Sequence, residues 1–286
     1  MPSSRRLWEL HIAVLLFGGT ALFAKLIPLG ALDMTVLRCV IAALTLALVV
    51  KATKGRLRLG SGREYATALA LGVVVSLHWV TYFASMQVST VAVGMIAFFT
   101  YPVMAVLLEP MIKRQLPHPR DLLAAAIVLV GIVLIVPDTN LDNSTTQGVA
   151  LGVLSALLFT LRNLLHKHRF SHHSGPKAMF YQCLVAAVVL APFQSSAALL
   201  MPLWGWGLLL VLGIGFTATP HALLAQALGN LKVKSVALIS CLQPIYATVL
   251  AALVLHEIPD WRTLVGGVLV VSAAVFETLA ARSQKP

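Results

Sequence analysis

Residues 98–135 read FFTYPVMAVLLEPMIKRQLPHPRDLLAAAIVLVGIVLI, and residues 240–277 read SCLQPIYATVLAALVLHEIPDWRTLVGGVLVVSAAVFE. The two stretches share one pattern at an offset of 142 residues, which places Pro102 over Pro244. A second proline and an arginine recur at the same offset. Each copy sets a proline inside an apolar run that is long enough to form a helix. The chain is therefore predicted to consist of two related halves.

Composition indicates a membrane protein. Of the 286 residues, 59% are hydrophobic and 11% are charged, and the mean hydropathy is +0.89. A soluble domain carries about 25% charged residues. The apolar runs are too long and too continuous for barrel strands, which alternate. Ten segments of suitable length occur, at roughly 8–28, 32–50, 64–86, 90–110, 121–137, 147–166, 177–197, 203–228, 234–255 and 260–281. We predict an all-α integral membrane protein with ten transmembrane helices.

The repeat and the charges together predict a topology. Two copies in ten spans give five helices each, at 1–137 and 147–286, and an odd number inverts the second copy relative to the first. Of the 21 basic residues, 17 fall in loops on one side, which predicts cytoplasmic termini and a multi-pass protein of the inner (plasma) membrane. Topology thus accounts for the net charge of +11, and we predict no nucleic-acid partner.

The first segment has two interpretations. SSRR followed by LHIAVLLFGGTALFA resembles a signal peptide with a small-residue cleavage site. The alternative is an uncleaved first span. We favour the span, because GVALGVLSALLFTLRNLL begins the second half in the same way.

No cofactor or metal is predicted. The three cysteines lie singly in apolar runs and are interpreted as small core residues. The stretch HKHRFSHH, residues 166–173, offers histidines for a metal, but it is basic and has no carboxylate or cysteine near it in the sequence. We expect a solvated cytoplasmic loop.

The matched prolines predict a cavity. A proline inside a helix removes one backbone hydrogen bond, and within a bilayer the freed carbonyl needs a partner in the protein or in a water-filled cavity. Pro102 and Pro244 are therefore predicted to flank one central cavity. Pro220, Gly18 and Gly19 are further predicted helix breaks or gating positions.

Residues 78–110, HWVTYFASMQVSTVAVGMIAFFTYPVMAVLLEP, and residues 224–271 resemble the two characteristic blocks of the EamA-type branch of the drug/metabolite transporter superfamily. TVLRCVIAALTLAL, residues 35–48, resembles the arginine-bearing second helix of each repeat. The family glutamate is present as Glu257, whereas the first copy has Gln115. The resemblance implies two inverted five-helix repeats around a cavity formed mostly by helices three, four, eight and nine, with one and six contributing. Its substrates are small metabolites, including amino acids and, among bacterial exporters, aromatic ones.

Neutral and aromatic residues are predicted to bind the substrate. They are His78, Trp79, Tyr82, Ser85, Thr100, Tyr101, Thr217, His221, Gln243 and Tyr246. Such a set suits a zwitterionic amino acid, since hydroxyls and N–H groups bind the carboxylate and aromatic rings pack on the side chain. Each aromatic residue has the alternative of simple helix packing.

No charge is predicted at midspan. The acidic residues lie at span ends or in loops, and Lys25, Arg38 and Arg162 are also placed toward span ends. Intramembrane charges usually mark coupling sites or ion pathways. Their predicted absence disfavours cationic drugs and phosphate-bearing substrates, and it predicts weak or no obligatory proton coupling.

Three classes of function are compared. The leading one is an alternating-access exporter of small metabolites, most of all aromatic or large neutral amino acids. An intramembrane enzyme lacks a nucleophile and base motif, so no enzyme is predicted. A lipid flippase or scramblase, or an exporter of another metabolite or drug class, stays open on the same scaffold. Partners are a small-molecule substrate and the bilayer, and monomer and homodimer both remain open, because the small-residue patches at Gly266 and Ala124 suit internal packing or a dimer.

Overall fold

The computed structural model describes residues 2–112, 114–136, 140, 142–230 and 233–280, and all regular elements within them are helical. The α-helices are α1 Pro2–Thr20, α2 Phe23–Leu26, α3 Ala31–Ala52, α4 Gly62–Val88, α5 Val91–Phe98, α6 Tyr101–Ile112, α7 Pro119–Ile135, α8 Ser144–Arg169, α9 Gly175–Leu190, α10 Leu203–Leu210, α11 Thr219–Asn230, α12 Val233–Ser240, α13 Gln243–Val254 and α14 Trp261–Ala280. Short 3₁₀ turns follow α9, at Ala191–Phe193 and Ser196–Leu200, and a π-helix, Val211–Ala218, joins α10 to α11.

Within the described residues, nine helical segments are long and apolar enough to cross a membrane. The predicted fifth span corresponds to α7, which has 17 residues and is the shortest of the ten candidates. The count of ten and the orientation of the termini stay predictions. Residue 137, the predicted end of the first half, lies outside the described residues, as do residues 281–286 of the second half.

Polar residues set several helix starts. The Ser61 side chain accepts from the Glu64 backbone N–H at 3.3 Å at the start of α4. Thr90 accepts from Val93 N–H at 3.2 Å at the start of α5. Asn143 begins α8 in the same way. Because these caps satisfy donors that the helix itself leaves free, they define the first residues of α4, α5 and α8.

Both matched prolines lie at true breaks. In the fourth span, α5 ends at Phe98 and α6 begins at Tyr101. In the ninth span, α12 ends at Ser240 and α13 begins at Gln243. Pro102 and Pro244 are each the second residue of the new helix. The prediction that these prolines lie inside continuous helices is wrong, because in each span one helix ends before the proline and a new helix begins. A proline in a first turn costs no hydrogen bond, because that N–H has no partner in the helix.

The eighth span is irregular over its middle. The π-helix Val211–Ala218 ends just before Pro220. Pro220 has no N–H to donate to the Phe216 carbonyl four residues earlier, and the Thr20 hydroxyl of α1 lies 3.0 Å from that carbonyl. The freed acceptor therefore finds its partner within the protein, as expected in a bilayer.

The two halves pack into each other. Helix α4 lies against α8 and α9, α3 against α9, and α1 against α11 and α13. Helices α7 and α14 approach closely where a Cβ on Gly266 would stand 2.5 Å from the Gly131 carbonyl oxygen. The glycine patch of the last helix is therefore used inside the chain.

Candidate functional site

A cavity of ≈ 160 Å³ lies where helices of both halves meet. Its walls come from α1, α3, α4, α5, α6, α8, the π-helix, α11, α12 and α13. Six of the ten predicted binding residues line it, namely His78, Trp79, Tyr82, Tyr101, His221 and Gln243. Two of these, Tyr101 and Gln243, are the first residues of α6 and α13. The restart of each broken helix thus lies at the cavity wall.

An aromatic cluster forms one wall. The Phe98 and Tyr101 rings stack with centroids 5.2 Å apart, and Phe159 meets Tyr101 edge to face at 5.0 Å. His78 lies 4.9 Å from Phe159 and 5.4 Å from Phe98. Tyr82 meets Phe98 edge to face at 5.2 Å. Contacts of this kind favour an apolar or aromatic group in the cavity.

His78 is held across the two halves. Its Nδ1 lies 2.8 Å from the Ser155 hydroxyl and 3.1 Å from the Ser155 carbonyl oxygen, and the same hydroxyl donates to the His78 carbonyl at 3.2 Å. With that hydroxyl proton committed, Nδ1 carries the ring proton of a neutral histidine and donates it to Ser155. Nε2 is then an acceptor.

His221 is oriented by its own helix. Its Nδ1 donates to the Thr217 carbonyl at 2.7 Å, and its ring meets the Phe17 ring edge to face at 4.8 Å. A carbonyl accepts only, so the proton lies on Nδ1 of the neutral ring. The two cavity histidines therefore share one tautomer.

Two arginines line the cavity, which corrects the prediction that no cation lies at depth. Arg38 is 2% exposed, and Arg162 lies on the same cavity wall. Arg38 follows the start of α3 by seven residues and Arg162 precedes the end of α8 by seven, a rise of about 10 Å in each helix. Their long side chains then reach the cavity. Distance from a span end was a poor measure because it ignores side-chain length and the helix face.

Four predicted binding residues are not on the cavity wall. Ser85 donates to the Gly148 carbonyl at 2.6 Å, and Thr100 donates to the Ala97 carbonyl at 2.8 Å. Their hydroxyls are used in helix packing.

The other two act on neighbours. Thr217 accepts from Arg38 Nη1 at 3.2 Å and donates to the Leu212 carbonyl at 2.8 Å. The Tyr246 hydroxyl lies 3.3 Å from His11 Nδ1. Thr217 therefore positions Arg38, which lines the cavity, although Thr217 does not line the cavity itself.

The predicted gating glycines are close-packing positions. A Cβ on Gly18 would stand 3.0 Å from the Gln243 carbonyl oxygen and 3.1 Å from the Ala247 nitrogen. Helix α1 ends two residues later, and a turn separates it from α2. Gly18 therefore lets α1 lie against the restart of the ninth span, whereas a Cβ on Gly19 would stand 2.5 Å from the Phe216 ring of the eighth span.

The histidine-rich loop has a carboxylate neighbour that the sequence did not show. His172 Nε2 and His173 Nε2 lie 3.3 Å and 3.1 Å from the two oxygens of Glu64. The three ligand atoms all lie within 4.8 Å of one another. The predicted lack of a nearby carboxylate was wrong, because Glu64 is more than 100 residues distant in sequence.

Comparison with known proteins identifies relatives along the whole chain. The family model of the EamA-like transporter family matches residues 8–136 and again residues 146–278. An uncharacterized transporter of Bacillus subtilis (strain 168) is 26% identical over 97% of this chain and 90% of its own. The pseudopaline exporter of Pseudomonas aeruginosa (strain UCBPP-PA14) is 24% identical over 72% of each chain.

Two further likenesses are more limited. An S-adenosylmethionine uptake transporter of Rickettsia bellii (strain RML369-C) is 27% identical over 43% of this chain and 42% of its own. A protein of known crystal structure matches with a TM-score of 0.66 at 18% identity, covering 97% of this chain and 99% of that chain. At that identity the likeness shows the fold alone. The predicted similarity to aromatic amino-acid exporters stays a prediction.

Proposed function

The chain belongs to the EamA-like transporter family, and from that premise we propose that it exports small metabolites across the inner membrane as a secondary transporter. The observation that carries the proposal is the central cavity, whose wall contains the restart residues of two broken spans, one from each half. Discontinuous spans that meet at a central site are the usual architecture of such transporters.

Alternating access is the proposed mechanism. Matching segments, 8–136 and 146–278, support two related repeats, and five spans in each would make them inverted. Rocking one repeat against the other would open the cavity to each side in turn. The residues at the breaks, Phe99–Thr100 and Cys241–Leu242, would absorb the backbone change.

Amino acids with aromatic or large neutral side chains are the proposed substrates. The rings of Phe98, Phe159 and Tyr101 offer an apolar wall for such a side chain. The small cavity supports a small substrate, since drug-sized ligands occupy pockets of about 300–1,000 Å³. Transport would run down the substrate gradient, because no acidic residue is among the described residues that line the cavity.

Flux into proteoliposomes tests this proposal. Purified protein is reconstituted and offered a panel of amino acids, and the measurement is repeated with Trp79→Ala and Tyr101→Ala. We expect saturable flux of aromatic or large neutral amino acids, and a large loss of that flux in both variants. Trp204→Ala is the matched control, since Trp204 is 56% exposed and lies outside the cavity wall.

Two results would count against the proposal. If no amino acid in the panel gives saturable flux, amino acids are excluded as substrates. Flux that requires an imposed proton gradient, even with a substrate gradient present, would remove the facilitative mechanism.

A further inference from the structure

Arg38 is a buried cation with two buried donor nitrogens that have no partner among the described residues. Its Nη1 donates to the Thr217 hydroxyl, whereas Nε and Nη2 have no hydrogen-bond partner among the described residues. The Trp79 and Phe83 rings lie 4.3 Å and 4.8 Å from its Cζ. Both rings pack against the guanidinium, and neither provides a carbonyl or carboxylate acceptor for its unpaired N–H groups. Buried donors without acceptors are costly, and a guanidinium does not lose its charge to avoid that cost.

Arg162 places a second positive charge in the same wall. Its Nε donates to Gln182 Oε1 at 2.6 Å and its Nη1 to Asn163 Oδ1 at 2.8 Å. Both acceptors are neutral amides. Among the described residues, no carboxylate lies within ion-pair distance of either guanidinium, and none lines the cavity. The protein thus supplies two cations and leaves their counter-charge to the occupant.

The N-termini of the two restarted helices add to the positive electrostatic potential of the cavity. Helices α6 and α13 begin at Tyr101 and Gln243, which both line the cavity. A helix N-terminus carries a partial positive charge from its free N–H groups. Two such termini and two guanidinium groups surround a space with aromatic walls, and this combination favours an anion with an apolar body.

We propose that Arg38 binds a carboxylate of the transported substrate, and that this carboxylate, not an ammonium group, is what the cavity requires. The inference rests on the proposed transport function and assigns the chemical class of its substrate. The free Nε–H and Nη2–H lie on one edge of the guanidinium, and two parallel donors match the two oxygens of a carboxylate. Arg162 adds a second positive charge near that carboxylate. An ammonium group finds no anionic partner in this wall.

Binding to the purified protein tests the inference without requiring transport. The ligands are phenylalanine, N-acetylphenylalanine, which lacks the ammonium, and phenylalaninamide, which lacks the carboxylate, with acetate and benzoate as small carboxylate probes. Affinity is measured by titration calorimetry and by ligand-induced thermal stabilisation in detergent. We expect N-acetylphenylalanine to bind at least as tightly as phenylalanine, and phenylalaninamide to bind at least about thirtyfold more weakly.

The arginine variants locate the effect. Arg38→Gln is expected to remove the preference for acid over amide, and Arg38→Lys to restore part of it, because an ammonium keeps the charge without the two-pronged edge. Arg262→Gln is the matched control, since Arg262 lies outside the cavity wall beside Trp261. If Arg38→Gln does not fold, the ligand series on the unaltered protein still decides the question.

Each outcome is informative. Equal binding of acid and amide, or a preference that survives in Arg38→Gln, overturns the inference, and so does the absence of binding by every carboxylate in the series. If the protein transports amino acids but does not prefer acids to amides, the transport proposal stands and the carboxylate inference is overturned. If it binds acids selectively but transports none, the carboxylate inference stands and the transport proposal is overturned.

Discussion

Replacing Thr20 by valine tests how the broken eighth span is stabilised. The Thr20 hydroxyl lies 3.0 Å from the Phe216 carbonyl that Pro220 cannot serve, and equally 3.0 Å from the Leu16 carbonyl of its own helix, so the two carbonyls share its proton. Valine has nearly the same shape, so the substitution leaves a part-buried acceptor without this donor and changes the packing little. Such a loss costs about 1–3 kcal/mol in soluble proteins, and hydrogen bonds between membrane helices average about 0.6 kcal/mol. We expect Thr20→Val to lower the free energy of unfolding by about 1 kcal/mol.

A double-mutant cycle sharpens the test. Pro220→Ala restores a backbone N–H that can donate to the Phe216 carbonyl. In that background Thr20→Val should cost less, with a coupling energy of about 0.5–1 kcal/mol. The measurement is reversible unfolding in mixed micelles, followed by tryptophan fluorescence.

The control and the refuting result are both defined. Thr81→Val removes a hydroxyl that bonds only to carbonyls of its own helix, Leu77 and His78, whose regular hydrogen bonding is not broken by a proline. It should change stability by less than about 0.5 kcal/mol. Strict additivity of Thr20→Val and Pro220→Ala would refute the idea that one hydroxyl replaces the missing backbone donor.

Two further predictions concern helix packing and capping. Gly18→Ala should destabilise the protein by about 1–3 kcal/mol in thermal or chemical unfolding, because the new Cβ meets backbone atoms, whereas Gly207→Ala, with nothing within 4 Å, should not. Asp260 accepts from the Thr263 backbone N–H at 2.8 Å, and hydrogen bonds from Thr263 hold the pKa of Asp260 below its usual range. Its contribution is therefore complete above about pH 4 and is lost as the pH falls through the folded-state value. Asp260→Ala should lower stability by about 1 kcal/mol at pH 7 and flatten this acid limb; an unchanged limb would contradict it.

Local sequence predicted the breaks in the spans well. A proline within an apolar run marks a place where the helix ladder cannot continue, whatever surrounds it. Pro102 and Pro244 therefore indicated the positions of the two restarts, although the sequence did not show that each preceding helix ends four residues before its proline. The π-helix before Pro220 had no comparable signal, because its residues are ordinary apolar ones.

The cavity lining was predicted only in part. Tyr101 and Gln243 adjoin the prolines, so their position followed from the break. Phe159 and Arg162 lie on a helix without such a mark, and their spacing along α8 is equally compatible with a lipid-facing or a buried position. Only the contact between α8 and α4 decides that they face the cavity.

The sequence by itself indicated that this protein lies in a lipid bilayer and that it is built of helices. Hydropathy, charge count, repeat and proline position are properties of the chain read in order, and they predict an all-helical membrane protein with two related halves. The tertiary structure alone decided which side chains meet. Ser155 holds His78 from 77 residues away, and Thr217 holds Arg38 from 179. Such contacts depend on helix rotation and on crossings between halves, which no local pattern encodes. For that reason the two arginines of the cavity wall were recognised only from the fold.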